Sequence, residues 1–502
     1  MHNLFRAPSQ TLTVDLEAAM RAILAVTPLS RVHEQELPYA VRDLSRLLTQ
    51  DRSQLAYSYW INKRLLTAYC RYFLPWNLLR LSWMLPGSGL TLAANDTVLD
   101  LGSGPLTMPI ALWLAFPGWR ELPLTIVCSD VAPVPLNMGR EIFRHLASDS
   151  PWTIELRRGP LDQVLNGFSG TASLITAANV LNELKPSRET PMHSRLEILT
   201  RRIVARLAPG GRFLAMEPGT RLGGRLMALL RQAGFSSRLV PEAPCPHWKA
   251  CPMLERNATG WCHFSHIAGS VPASLAALTK RAGLGKENLS LSCMTLRHAS
   301  DEEIAHAEAF LPALPEEEDF SDGFTDDGWI DEVDNGEEGG FAPWPEAFAA
   351  VSPSLVENRG IIRILSDPIR LPGLDEPARY ACSEKGLVLA HNALRLPSGA
   401  AVAVRWPERE HRDPKSGALV VVLPSSRTGK PTIAEEVLKG KKVPEKTRKI
   451  GQLPVQNADK TTRRESVPVM PGSPKRRAKP DAGTPNGYKR KVSKSPIDKK
   501  ER

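Results

Sequence analysis

Two groups of residues in the 502-residue chain have types and spacings that could do chemistry. The first is Asp100-Leu101-Gly102-Ser103-Gly104-Pro105, which follows a short apolar run and opens a helix-compatible stretch reaching Leu114. Glycines at 102 and 104 let the backbone turn tightly and approach a ligand closely, and a helix N-terminus favours a carboxylate or phosphate there. Asp130 ends the next apolar run, Leu124–Cys128, where an acid can accept bonds from ribose hydroxyls. Asp100, Gly102, Ser103, Gly104 and Asp130 therefore point to an adenosine-containing ligand.

The second group is rich in soft donors: Cys245-Pro246-His247-Trp248-Lys249-Ala250-Cys251-Pro252, then Trp261-Cys262-His263-Phe264-Ser265-His266. With 7 cysteines in the whole chain this is no disulfide scaffold, and three thiols so close together read as metal binding. Thiolates suit Zn²⁺ or an iron–sulfur cluster, each needing about four ligands. His247, His263 and His266 keep zinc open, although each alone reads as a hydrogen-bonded loop histidine. Cys70, Cys128 and Cys293 fall inside expected helix or strand, where a buried thiol behaves as a small hydrophobe. Cys382 ends a strand-like run just before the turn Ser383–Gly386, so it is the expected fourth ligand, joining a later β-rich segment to the preceding domain.

Around these residues the pattern of apolar positions predicts a helical region over 1–86, with the aromatic run between 57 and 83 forming its core. From residue 97 the period changes. Strands are expected at 98–101, 124–128, 154–156, 172–177, 212–216, 236–240 and 289–298, with helices after the first, second, fourth and fifth, which argues a parallel sheet covered on both faces. Asn179 ends the fourth strand, where contacts near a transferred group are made. Asp162, after the third, reads as an adenine contact or, preferably, a loop cap. The α/β domain spans 87–300 and includes the cysteine-rich segment 241–268. Short β-rich runs at 361–365, 378–382, 387–390 and 400–406 predict a small β domain over 348–423.

Charge divides the chain sharply. The formal +10 resolves into +11 over residues 1–300, −17 over 301–350, +2 over 351–423 and +14 over 424–502. The acidic run predicts a disordered insertion over 301–347, and 424–502 a disordered basic tail. Lys441-Lys442, Arg463-Arg464, Lys475-Arg476-Arg477 and Lys489-Arg490-Lys491 would bind phosphate without reading sequence. No run of eighteen apolar residues exists, so no membrane is expected, and no secretory or transit pattern opens the chain. A monomer in a reducing compartment is expected.

The Asp-x-Gly-x-Gly turn looks like that of the seven-stranded S-adenosylmethionine methyltransferases, with Leu106 where a third glycine is common. Neither the proline-aromatic motif of amino-methylating enzymes nor the cysteine nucleophile of cytosine-C5 enzymes follows Asn179, so catalysis stays open. The runs Val98–Pro105, Asn179–Leu184 and Glu217-Pro218-Gly219-Thr220, the cysteine series and Cys382 together resemble the methyltransferase-like assembly factors of the mitochondrial small ribosomal subunit and their bacterial relatives. The resemblance implies a Rossmann-type methyltransferase domain, a [4Fe–4S] cluster on Cys245, Cys251, Cys262 and Cys382, and association with small-subunit rRNA and proteins. It implies bacterial cytoplasm or, alternatively, the mitochondrial matrix. An active rRNA methyltransferase and a zinc-stabilised RNA-binding protein with an inactive pocket are the competing readings.

Overall fold

Strand β1 (Thr97–Leu101) is buried on both faces, which is why Val98-Leu99-Asp100-Leu101 reads as a nearly continuous apolar run. It lies between β2 (Thr125–Asp130) and β4 (Ala172–Ala178), both parallel to it. In this computed structural model, residues 3–5, 11–49, 58–184, 190–255, 260–268, 271–285, 288–308, 359–365, 367–371, 373–374 and 376–424 are described. They fall within the compact unit Met1–Val443.

The main sheet has the order β3-β2-β1-β4-β5-β8-β6, with β7 also paired to β8. Here β3 is Thr153–Arg158, β5 Leu207–Pro218, β6 Leu239–Ala243, β7 Phe264–Ile267 and β8 Asn288–His298. Strands β1 to β5 run parallel, whereas β8 is antiparallel to β5, β6 and β7. The chain leaves β1 towards β2 and later returns to its other side as β4. That reversal opens a crevice at the carboxyl ends of β1 and β4, where open α/β sheets bind ligands. The edge strand β3 carries Glu155, Arg157 and Arg158, and charge on an edge discourages further pairing.

The N-terminal region packs five helices against this sheet's cover: α1 (Leu12–Val26), α2 (Arg31–Thr49), α3 (Ser58–Ile61), α4 (Lys63–Ala68) and α5 (Leu74–Met84). A π-helical turn, Tyr69–Phe73, joins the last two. Helix α5 lies on α6 (Thr107–Ala115) and α1 on α7 (Pro133–Leu146), with Tyr72 and Trp76 in the shared core. Arg120 reinforces the join by donating to Asp15 at 2.7 Å. Within the aromatic run, Tyr72 and Trp76 are core and Trp60, Tyr69, Phe73 and Trp83 are half-buried against it, while Tyr57 lies outside the described residues. The remaining helices are α8 (Leu161–Gly167), α9 (Met192–Val204), α10 (Arg221–Ser236), α11 (Ala273–Ala282) and α12 (Asp301–Glu308).

A second sheet has the order β12-β9-β10-β11-β13: β9 Arg359–Ile364, β10 Arg379–Ser383, β11 Gly386–His391, β12 Ala401–Arg405 and β13 Leu419–Val422. Ile362, Ile364, Val388, Trp406 and Leu419 form its core. It docks on the first sheet through polar contacts, Ser265 N–H donating to Ser398 Oγ at 3.0 Å and Arg363 Nε to Pro244 O at 2.8 Å.

Several expectations need correction. The strand expected at 236–240 lies at Leu239–Ala243, because α10 extends through Ser236. Strands β7 and β13 were not expected. The acidic segment begins as helix α12 rather than as disorder, and its remainder, 309–347, lies outside the described residues, as does the tail from 425.

Candidate functional site

The carboxyl ends of β1, β2 and β4 bring Asp100, Gly102, Ser103, Gly104, Asp130 and Asn179 to one crevice. Gly102 and Gly104 have φ of +69° and +51°, which glycine adopts without a steric cost. A Cβ on Gly102 would stand 2.6 Å from Val180 Cγ2, so this loop and the β4 loop touch through the missing side chain. Leu106, in the third glycine place, is also left-handed at φ +56°, so the turn keeps its shape around a side chain that is fully buried. Ser103 Oγ donates to Asp100 O at 3.0 Å and accepts from Ser129 N–H at 3.0 Å, riveting the loop to β2. Asp130 holds the loop from the other side: Gly104 N–H and Ala132 N–H each donate to one of its oxygens at 2.9 Å.

Two buried oxygens here have no partner, Asp100 Oδ2 and Asn179 Oδ1. Asp100 Oδ1 accepts from Thr176 Oγ1 at 2.6 Å, but burial pushes the carboxyl up from 3.8 to about 7. Burial also raises Asp130. Asn179 sits at φ +56°, its N–H donating to Met216 O at 2.8 Å. Such orphaned acceptors beside a glycine cradle fit a ligand carrying donors and a positive charge, and each Asp130 oxygen keeps a lone pair for a hydroxyl. The residues present thus fit S-adenosylmethionine. Asp162, in the first turn of α8, is paired with Arg202 of α9.

The cysteines come together from three stretches of chain. Burial first, then Cys245, Cys251, Cys382 and Cys293, hold the Cys262 thiol well above its ordinary range. Cys382 is raised in the same way by burial, Cys251 and Cys245. All four expected ligands are therefore within electrostatic reach of one another, and Cys293 joins them. His247 Nε2 lies 3.4 Å from Cys382 Sγ. Burial, followed by Arg231 and Lys249, pulls this imidazole down to about 3, leaving it neutral. His263 instead bonds Trp261 O, and His266 packs against the rings of Phe5 and Trp83. Among the described residues, no group of three or more His, Cys, Asp or Glu side chains could hold a metal ion as they stand. The thiols share a region without closing on one point, whereas a single zinc needs them about 2.3 Å from a common centre.

Two buried arginines complete this region, and the sequence reading missed both. Arg231 is 1% exposed and donates to His247 O and Lys249 O at 3.1 and 2.5 Å. Arg363, 2% exposed, is pulled down to about 10 by burial, against the pull of Cys245, Cys293, Cys382 and Cys262. Cation charge beside four thiols suits a thiolate-bound group. Arg363 had a visible signal, a lone arginine inside the apolar strand Ile361-Ile362-Arg363-Ile364. Arg231, following Leu229-Leu230 on a helix, had less.

Residues 94–305 match the family model described as mitochondrial small ribosomal subunit Rsm22. Over this stretch the chain is Rsm22-like. The matched residues include the glycine loop, Asp130, Asn179 and three of the four cysteines; Cys382 lies beyond them. No curated protein sequence matches the chain. Among solved structures, the mitomycin 7-O-methyltransferase MmcR is 15% identical, covering 53% of this chain and 67% of its own, at a TM-score of 0.29. The precorrin-6y C5,15-methyltransferase from Geobacter metallireducens is 12% identical, with 44% and 86% covered and a TM-score of 0.26. A TehB-like S-adenosylmethionine-dependent methyltransferase from Corynebacterium glutamicum is 14% identical, with 44% and 88% covered and a TM-score of 0.25. The Rossmann-like assignment rests on the strand order and crevice of the Rsm22-like segment itself.

Proposed function

We propose that the chain is a small-ribosomal-subunit assembly factor that binds rRNA, holds S-adenosylmethionine at Asp100–Gly104, Asp130 and Asn179, and carries a structural [4Fe–4S] cluster. Cys245, Cys251, Cys262 and Cys382 would hold the cluster, with Arg231 and Arg363 offsetting thiolate charge. What supports this reading is that the Cys245, Cys251, Cys262 and Cys382 thiols, from both sides of the acidic segment, are near enough to act electrostatically on one another, on a chain whose residues 94–305 match the Rsm22 model. A cluster held by these cysteines would be structural, since neither the glycine loop nor Asn179 belongs to the cysteine region. The family's description supports a mitochondrial matrix setting, with bacterial cytoplasm as the alternative. The basic tail suits phosphate, so RNA affinity should fall steeply with salt.

Anaerobic purification tests the cluster. The expected result is a brown protein absorbing near ~400 nm with iron and sulfide in equal amounts, as for cysteine-ligated clusters. A colourless protein holding one zinc overturns it. Crosslinking followed by sequencing of bound RNA should recover small-subunit rRNA; random RNA counts against the assembly role.

A second reading, an active rRNA methyltransferase, is favoured by the unpartnered Asp100 Oδ2 and Asn179 Oδ1. Bound S-adenosylmethionine would supply an electrophilic methyl group, and the chain would orient it against the acceptor. Mapping rRNA methylation with and without the protein separates the two. A lost methyl group establishes transfer, and an unchanged pattern leaves the assembly role.

A further inference from the structure

Beside Asp130 lies a cavity of about 130 Å³ whose roof comes from outside the α/β sheet. Its walls are the segment 131–134 after β2 and Arg158 at the end of β3, and its roof is Trp60 with Ile61 from α3. The Trp60 ring also comes within 3.6 Å of the place a Cβ on Gly104 would occupy. One aromatic residue therefore covers both the glycine loop and the cavity next to it. Tyr69 meets the Trp60 ring edge-on at 4.9 Å. Tyr69 stands on the π-helical turn Tyr69–Phe73, directly before α5. Such turns concentrate at functional sites, and this one backs the roof through the ring of Tyr69. The cavity's apolar rim reaches solvent, Ile61 being 78% and Val134 49% exposed.

We infer that Trp60 is the stacking platform for the base of an adenosine ligand bound at the Gly102–Gly104 loop. The inference rests on the S-adenosylmethionine reading of that loop and deepens it by assigning a positioning residue from the N-terminal helices. The chemistry follows from the walls. A flat base needs apolar faces above and below, which Trp60 and the 131–134 segment supply. The ribose attached to it then reaches Asp130 on the same turn. Aromatic stacking tolerates any base, so Trp60 adds affinity while Asp130 and the glycine loop set orientation.

The test is calorimetric titration of the full chain with S-adenosylhomocysteine, repeated for Trp60→Leu and Trp60→Phe, with melting temperatures of the unliganded proteins. Leucine keeps apolar bulk and removes the π face. The expected result is affinity lower by about 5- to 150-fold in Trp60→Leu, the range that loss of one stacking contact implies. Trp60→Phe should recover most of it, with unliganded melting within a few degrees of the parent for both. Equal affinity of parent and Trp60→Leu overturns the role of Trp60 and leaves the cofactor reading standing. No binding by the parent overturns both. Adenosine diphosphate, titrated in parallel, distinguishes a general nucleotide from the cofactor, and a stronger response to it than to S-adenosylhomocysteine also overturns the assignment.

Discussion

Asp100 is an acid placed where its charge is poorly tolerated. It is 1% exposed, one oxygen takes a single bond from Thr176, and the other takes none. Burial raises its carboxyl from 3.8 to about 7, and the hydrogen bond from Thr176 offsets only part of that. A carboxyl with a raised folded value binds a proton more readily folded than unfolded. Stability from this group is therefore full below about pH 4 and is lost as pH rises through about 7. Asp100→Asn keeps the size and the acceptor for Thr176 but removes the titration. Urea unfolding of the unliganded protein from pH 4 to 8 should give a flatter profile for the variant. The gap between the two profiles should change by on the order of 1–3 kcal/mol across that window. Parallel profiles would sink the idea. The same residue explains why the motif was legible: a buried acid two positions before a glycine turn serves no packing purpose. Leu106 shows the limit of that reading, because a side chain alone does not reveal a left-handed backbone.

At the scale of elements, the loop geometry depends on how closely α7 approaches it. A Cβ on Gly139 would lie 2.3 Å from the carbonyl carbon of Pro105 and 2.6 Å from its oxygen. These are backbone atoms of the glycine loop, so they yield only if helix or loop moves. Gly139→Ala should cost about 1–3 kcal/mol, as overpacking does, and should weaken S-adenosylhomocysteine binding in calorimetry. Gly118→Ala, with nothing within 4 Å, is the matched control and should change neither. A Gly139→Ala protein as stable as that control would refute the close approach. The alternation of β1, β2, β4 and β5 with helices is readable because buried parallel strands make continuous apolar runs, whereas helix α8 between the half-exposed β3 and β4 is not. Strand β7 was not, since Phe264-Ser265-His266-Ile267 is four residues long and sits among the cysteines and histidines. Strand β13 was missed after a polar loop. Helix α12 did carry a signal, the capping box Ser300-x-x-Glu303: Ser300 N–H donates to Glu303 Oε2 at 2.9 Å, and Glu303 N–H to Ser300 Oγ at 3.2 Å. Acidic composition hid it, and Arg297, donating to both Glu303 oxygens, makes the acid an asset.

Across the molecule, the glycine crevice and the cysteine region are mechanically joined through the turn after β5. Leu181 and Asn182 N–H groups donate to Glu217 Oε1 at 2.8 and 3.3 Å, which ties the β4 loop to that turn. Two residues later, Gly219 O accepts from Trp261 Nε1 at 2.8 Å, and Trp261 precedes Cys262. The cysteine loop is pressed onto α10 at Gly224, where a Cβ would stand 2.8 Å from Trp261 Cδ1 and 2.9 Å from Cys262 O. Ser292 Oγ, from β8, fixes the Cys262 carbonyl at 2.7 Å. Loosening Cys262 should therefore disturb the β4 loop that carries Asn179. Cys262→Ser should lower metal content and weaken S-adenosylhomocysteine binding together. Trp261→Phe separates the two effects, because it keeps the ring but removes the N–H to Gly219. It should leave metal content unchanged and cut affinity by about twofold to tenfold, the value of one hydrogen bond. Metal analysis and calorimetry on the same preparations decide the matter. If Cys262→Ser loses metal yet binds the ligand as the parent does, the two sites are independent and the turn at 217–219 transmits nothing.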